Sequence, residues 1–179
     1  MEIWLKKETI FRGNIIEVDV GEARLLDGTM APREVVRHGG GVGIVPVWED
    51  QVLLVRQFRI AVGHEVLEIP AGRLEPNESP EERALIELEE EIGYRAGRLV
   101  HVASCYCSPG FTNEKDHLYL AFDLEKTAQR LEFDERIDIA PFPLDDVEAG
   151  LRDGFFDDGK TIIGLQALLA YKRRNGDAE

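Results

Sequence analysis

The stretch that decides the fold is Glu68-Ile69-Pro70-Ala71-Gly72-Arg73-Leu74-Glu75-Pro76-Asn77-Glu78-Ser79-Pro80-Glu81-Glu82-Arg83-Ala84-Leu85-Ile86-Glu87-Leu88-Glu89-Glu90-Glu91-Ile92-Gly93-Tyr94. Ser79 followed by Pro80, with Glu82 three positions after the serine, is a helix start. The hydroxyl caps the first free N–H groups, the proline suits the first turn, and the glutamate reaches back to the cap. Gly93 is the matching stop, because glycine accepts the left-handed conformation that ends a helix. Between them the pattern predicts about three and a half turns of helix. On that helix Glu87, Glu90 and Glu91 stand at i, i+3 and i+4 and share one face. Three carboxylates this close to a helix C-terminus repel one another and the dipole. They form either a solvated acidic face or a nest of hard oxygen donors for a divalent cation such as Mg²⁺, and clustering alone leaves both open.

Upstream, GVGIVPVW (41–48) and QVLLVRQF (51–58) are nearly continuous apolar runs, which predicts strands covered on both faces. Before them, Ile3-Trp4-Leu5, the run Ile15 to Val20, and Val35-Val36 are separated by turn signals at Arg12-Gly13-Asn14 and Asp27-Gly28. With Gly39-Gly40-Gly41 as a boundary, residues 1–38 form a small β region and residues 39–179 the main domain. Downstream, the sequence predicts strands around 66–69, 99–104, 117–122 and 136–140, and helices over 144–152 and 161–174. Strands flanked by helices on both sides imply an α/β layered domain.

With 21 basic against 35 acidic residues in 179, the net charge is −14. That balance disfavours a phosphate-gripping nucleic-acid face and docking on an anionic membrane. The two cysteines, Cys105 and Cys107, are too few for a disulfide framework or a zinc site, which suits a reducing compartment. No apolar run is long enough to cross a membrane, and the segment MEIWLKKETIF lacks the apolar core of a signal peptide. The expectation is a cytoplasmic protein with neither nucleic-acid nor membrane partners.

The spacing Gly72-x5-Glu78-x8-Glu87-Leu88-x-Glu90-Glu91-x-Gly93-Tyr94 closely resembles the Nudix box, G-x5-E-x7-R-E-U-x-E-E-x-G-U with U apolar. The one departure is Ile86, where the box has arginine. Val55-Arg56-Gln57-Phe58-Arg59, the segment Ser108 to Glu114, His117 to Ala121 and Asp134 to Asp138 extend the resemblance to the ADP-ribose pyrophosphatase branch of that family.

The resemblance implies an α/β/α sandwich with a mixed sheet, a small N-terminal β region that makes a homodimer, and hydrolysis of a nucleoside diphosphate linked to a second moiety. The implied metal ligands are the Ala71 carbonyl, Glu87 and Glu91, with Glu90 beside them as a further ligand or catalytic group. The implied ion is Mg²⁺, with Mn²⁺ as a substitute. A catalytic base falls on Glu135, with Glu132 and Asp134 as competitors in the same loop. Substrate contacts fall on Arg59, on Arg56 more weakly, and on Arg73, Ser108, Pro109, Gly110 and Glu114. Glu75 and Glu78 read as loop-bracing carboxylates. Ile86 is expected to pack apolar surface, with Arg83 one turn earlier reaching the same acids.

The leading expectation is hydrolysis of ADP-ribose to AMP and ribose 5-phosphate. Another nucleotide sugar or a dinucleotide is an alternative substrate. A Nudix-like domain that senses such a ligand without cleaving it is an alternative function, which Ile86 alone would favour.

Overall fold

The computed structural model describes residues 1–133 and 135–176. The chain divides into two compact units, one comprising Met1–Gly40 with Cys105–Lys115 and the other Gly41–Ser104 with Asp116 onward.

The first unit is built on a three-stranded antiparallel sheet in the order β1-β2-β3, from β1 (Ile3–Arg12), β2 (Ile16–Arg24) and β3 (Met30–His38). The two predicted turns separate its strands. Segment 105–115 joins it through Thr112, which bridges to Val36, and through the Val36 N–H, which donates to the Phe111 carbonyl at 2.8 Å. Of the side chains in 1–40, only Asp19 and Ala23 are buried, while Trp4, Leu5, Ile10 and Phe11 are exposed.

The second unit contains a mixed sheet in the order β10-β5-β4-β9-β8. Its strands are β4 (Gly41–Trp48), β5 (Gln51–Arg59), β8 (Tyr94–Tyr106), β9 (Lys115–Lys126) and β10 (Asp138–Pro143). Two short strands, β6 (His64–Glu68) and β7 (Ala71–Arg73), pair with β5 and β4. Pairing is parallel between β4 and β9 and antiparallel between β4 and β5.

Alternation along the strands explains their continuous apolar runs. Val42, Ile44, Leu53, Val55, Tyr119 and Ala121 pack with Ala84, Leu88 and Ile92 of helix α1 (Pro80–Ile92). Val45, Val52, Leu54, Leu118 and Leu120 pack on the other side with Val147 of α2 (Val147–Arg152) and with Leu165 and Leu168 of α3 (Gly159–Asn175). The result is the expected α/β/α layering.

Two details differ from the sequence reading. Ala71–Arg73, where the sequence predicts no strand, is strand β7, which pairs with Gly41–Gly43 of β4. Ile86 packs no core; it is 39% exposed on the outer face of α1. At the helix ends the chemistry is as predicted. Ser79 and Glu82 close a reciprocal capping box, and Gly93 ends the helix at φ 71°. A Cβ at Gly93 would come within 2.7 Å of the Gln129 nitrogen, so close approach as well as conformation selects glycine there.

Candidate active site

Helix α1 presents its acids to β7. The Glu91 carboxylate accepts the Ala71 backbone N–H at 2.9 Å. A Cβ built on Gly72 would fall inside the Glu87 carboxylate, so the box glycine is what lets that side chain lie flat against the strand. Glu87 and Glu91 are 5% and 2% exposed. Arg83, one turn earlier, pairs with Glu87 and lies 4.0 Å from Glu90, which is half-buried.

Burial pushes the Glu87 carboxyl up to about 7 against the pull of Arg83, with Glu90 and Glu135 adding to the rise. Burial and the neighbouring Glu87 push Glu91 up to about 8, with a further push from Glu135, against the opposing Ala71 N–H and Arg59. Two buried carboxylates short of positive charge are the donor set that a hard divalent cation requires.

The loop carrying Glu135 is fastened to the end of the same helix. Backbone N–H groups of Thr127 and Arg130 donate to the carbonyls of Gly93 and Glu90 at 2.7 and 2.9 Å, and the Gln129 side-chain amide donates to the Glu91 carbonyl at 2.7 Å. These bonds satisfy carbonyls that a helix end leaves without intrahelical partners. The loop then turns on itself, with the Glu132 N–H donating to the Glu135 carboxylate at 2.9 Å. Glu132 is exposed. Asp134 lies outside the described residues.

Arg59, at the end of β5, makes a bidentate pair with Glu68 at 2.6 and 3.0 Å. Glu68, Glu91 and Asp158 together hold its guanidinium firmly protonated. Arg56 and Arg73 are exposed. In the bracing loop before α1, the Glu75 N–H donates to the Glu78 carboxylate at 3.3 Å.

Taken together, α1 with its acids, the close-packed glycine and the layered sheet match a known family. The family model described as the NUDIX domain matches residues 37–162. The chain belongs to the Nudix family.

Among curated Nudix relatives, it is 36% identical to the ADP-ribose pyrophosphatase of Bacillus subtilis, over 92% of this chain and 90% of that one. It is 37% identical, with the same coverage, to the methanol dehydrogenase activator of Bacillus methanolicus. A solved structure of an ADP compounds hydrolase superposes with a TM-score of 0.87 at 23% identity, covering 98% of this chain and 96% of that chain.

Where the Nudix box has arginine, this chain has the outward-facing Ile86, and Arg83 supplies the cation to Glu87 instead. The remaining expected Nudix substrate residues, Ser108, Pro109, Gly110 and Glu114, belong to the first unit. There the Phe111 and Thr112 N–H groups donate to the Ser108 carbonyl at 3.1 and 3.0 Å, closing a turn around Pro109-Gly110. Glu114 lies 3.3 Å from His38.

Sequence reasoning missed Glu68, which pairs with Arg59, and Lys160, which pairs with Glu68. The signal was available for Lys160: a cation in the first turn of a helix opposes the dipole and calls for a compensating acid.

Proposed function

We propose that this Nudix hydrolase cleaves the pyrophosphate bond of ADP-ribose, or of a related nucleoside diphosphate sugar, giving AMP and ribose 5-phosphate from ADP-ribose. The observation that carries the reading is the pair of buried carboxylates, Glu87 and Glu91, pressed against β7 with too little positive charge around them. The relatives named for ADP-ribose hydrolysis, covering nearly the whole chain, support the substrate class.

In this reading Glu87 and Glu91, with the Ala71 carbonyl and Glu90 beside them, hold Mg²⁺, for which Mn²⁺ can substitute. The bound ion supplies charge neutralisation at the pyrophosphate and makes water more acidic. Glu135 accepts a proton from the attacking water, and its charge already reaches both buried acids. The new P–O bond forms as the bridging P–O bond breaks, and the leaving phosphate monoester takes up the displaced electron pair. Arg59 faces the diphosphate, offsetting charge that a chain of net −14 would otherwise repel. Arg56 and Arg73 contact the remainder of the substrate.

The nearly coreless sheet of residues 1–38, with Trp4 and Phe11 exposed, is proposed to be covered by a second copy of the chain. A monomeric mass at micromolar concentration with full activity would count against that dimer. The decisive experiment is a screen of nucleoside diphosphate sugars and dinucleotides with Mg²⁺ or Mn²⁺, reading release of phosphate monoester. ADP-ribose should head the ranking. Binding without turnover would instead indicate a sensing domain.

A further inference from the structure

Behind Arg59 lies a line of alternating charges that the box does not contain. Glu68 is 2% exposed, and both of its oxygens are used: Arg59 takes Oε1 and Oε2, and the Lys160 ammonium donates to Oε2 at 2.5 Å. Lys160 donates also to Asp158 at 2.9 Å. Asp158 is the N-cap of α3, accepting the Thr161 N–H at 2.9 Å and the Thr161 hydroxyl at 2.6 Å, and that hydroxyl accepts the Ile69 N–H at 2.9 Å. The order is therefore Asp158, Lys160, Glu68, Arg59. It ties the start of α3 to the segment just before Ala71. Arg59 and Lys160 both border an open cavity of about 290 Å³.

The helix dipole does not favour Lys160. It stands in the first turn of α3, where the helix dipole repels a cation, and it is half-buried. Its effect is on the charge that Arg59 shows to solvent. Glu68 alone would neutralise Arg59 as a closed ion pair, and Asp158 would then leave the line net negative beside the acids of α1. With Lys160 in place the four charges sum to zero. Arg59 Nη1, which takes no part in the bidentate pair, then belongs to a line of zero net charge rather than a negative one.

We propose that Lys160 is a positioning residue for anion binding. By sharing Glu68 and offsetting Asp158, it keeps Arg59 fixed and electrostatically available to a diphosphate. This rests on the reading of Arg59 as the pyrophosphate contact, and it adds a specific demand on Lys160. The demand is for a charge as well as a hydrogen bond, because a neutral donor could brace Glu68 but could not offset Asp158.

The test combines steady-state kinetics on ADP-ribose with equilibrium binding of ADP to the metal-free protein. Lys160→Met and Lys160→Gln should each raise KM and weaken ADP binding about tenfold, the size of one charge-assisted contact, with kcat within about twofold. Lys160→Arg should restore both. Arg59→Met should raise KM by itself, and adding Lys160→Met to it should cost nothing further, since Lys160 acts through Arg59. Unchanged KM in both neutral variants, wild-type behaviour of Lys160→Gln alone, or multiplying losses in the double variant would each overturn the proposal. If Arg59→Met leaves KM unchanged while the wild type hydrolyses ADP-ribose, it is the assignment of Arg59 that fails. If the wild type hydrolyses no such compound, the functional reading itself fails.

Discussion

Asp19 in the N-terminal sheet and Glu91 on α1 are both acids sealed from water, at 1% and 2% exposure. Asp19 is surrounded by donors: the Thr9 hydroxyl at 2.6 Å, and Lys7 and Arg37 each at 3.1 Å. Led by the Thr9 bond, these hold its carboxyl below the usual range. Glu91 has one backbone N–H and a row of other carboxylates, and its carboxyl is pushed up to about 8. The same chemical group, equally hidden, is satisfied by protein in one place and left waiting for positive charge in the other. Depth of burial alone does not mark a functional acid; the missing partner does.

Replacing each acid by its amide breaks the comparison most directly. Glu91→Gln should cut metal-dependent hydrolysis by about 10³-fold or more, the scale of several kcal/mol of lost charge stabilisation. It should also raise the melting temperature of the metal-free protein near neutral pH, because the amide carries no charge that folding must neutralise by taking up a proton. Asp19→Asn should lower the melting temperature, since its amide cannot accept from all three donors. Shifts of the same sign in both would end the distinction.

Next in size is the loop acid. Glu135→Gln should lower kcat by about 10²–10⁴ with little change in KM, while Glu132→Gln and Asp134→Asn are milder. A larger loss in either of the latter would move the base to that residue.

The pH dependence sharpens the contrast in a smaller register. Glu87 and Glu91 titrate near 4.5 when unfolded but near 7 and 8 in the fold, so the folded state binds the extra protons. Their contribution to stability is full below about 4.5 and is lost as pH rises through about 7–8. The lowered Asp19 acts the other way, losing its contribution only as pH falls below the usual aspartate range. Thermal melts of metal-free protein should therefore show a falling midpoint from about pH 5 to about pH 8.5. A divalent cation should flatten that slope, and a slope that persists with saturating cation would argue against these acids as ligands.

The smallest effect belongs to Ile86→Arg. With Arg83 already paired to Glu87 and position 86 facing outward, activity should stay within about twofold of wild type.

The contrast between the two acids also shows what the sequence could and could not reveal. Helix α1 and its acidic face were readable because capping, a terminal glycine and i, i+3, i+4 spacing are local rules. The runs at 41–48 and 51–58 announced strands buried on both faces for the same reason. Strand β7 was hidden because three residues carry no periodicity, and its pairing with β4 joins residues about thirty positions apart. Glu68, Arg59 and Lys160 meet across 92 positions between Glu68 and Lys160 alone, a separation that no window along the chain can register. The direction of Ile86 was likewise set by how α1 lies on the sheet.

The last carbonyls of α1 have a consequence beyond ending a helix. Thr127, Gln129 and Arg130 hold the same turn that bears Glu90 and Glu91, so the segment leading to Glu135 takes its reference from the helix itself. A thermal excursion that tilts α1 against the sheet carries both the acids and this segment in one direction. An insertion after Arg130 would retune the reach of the Glu135 carboxylate while the bonds of Thr127, Gln129 and Arg130 keep the end of the helix and its acids in place.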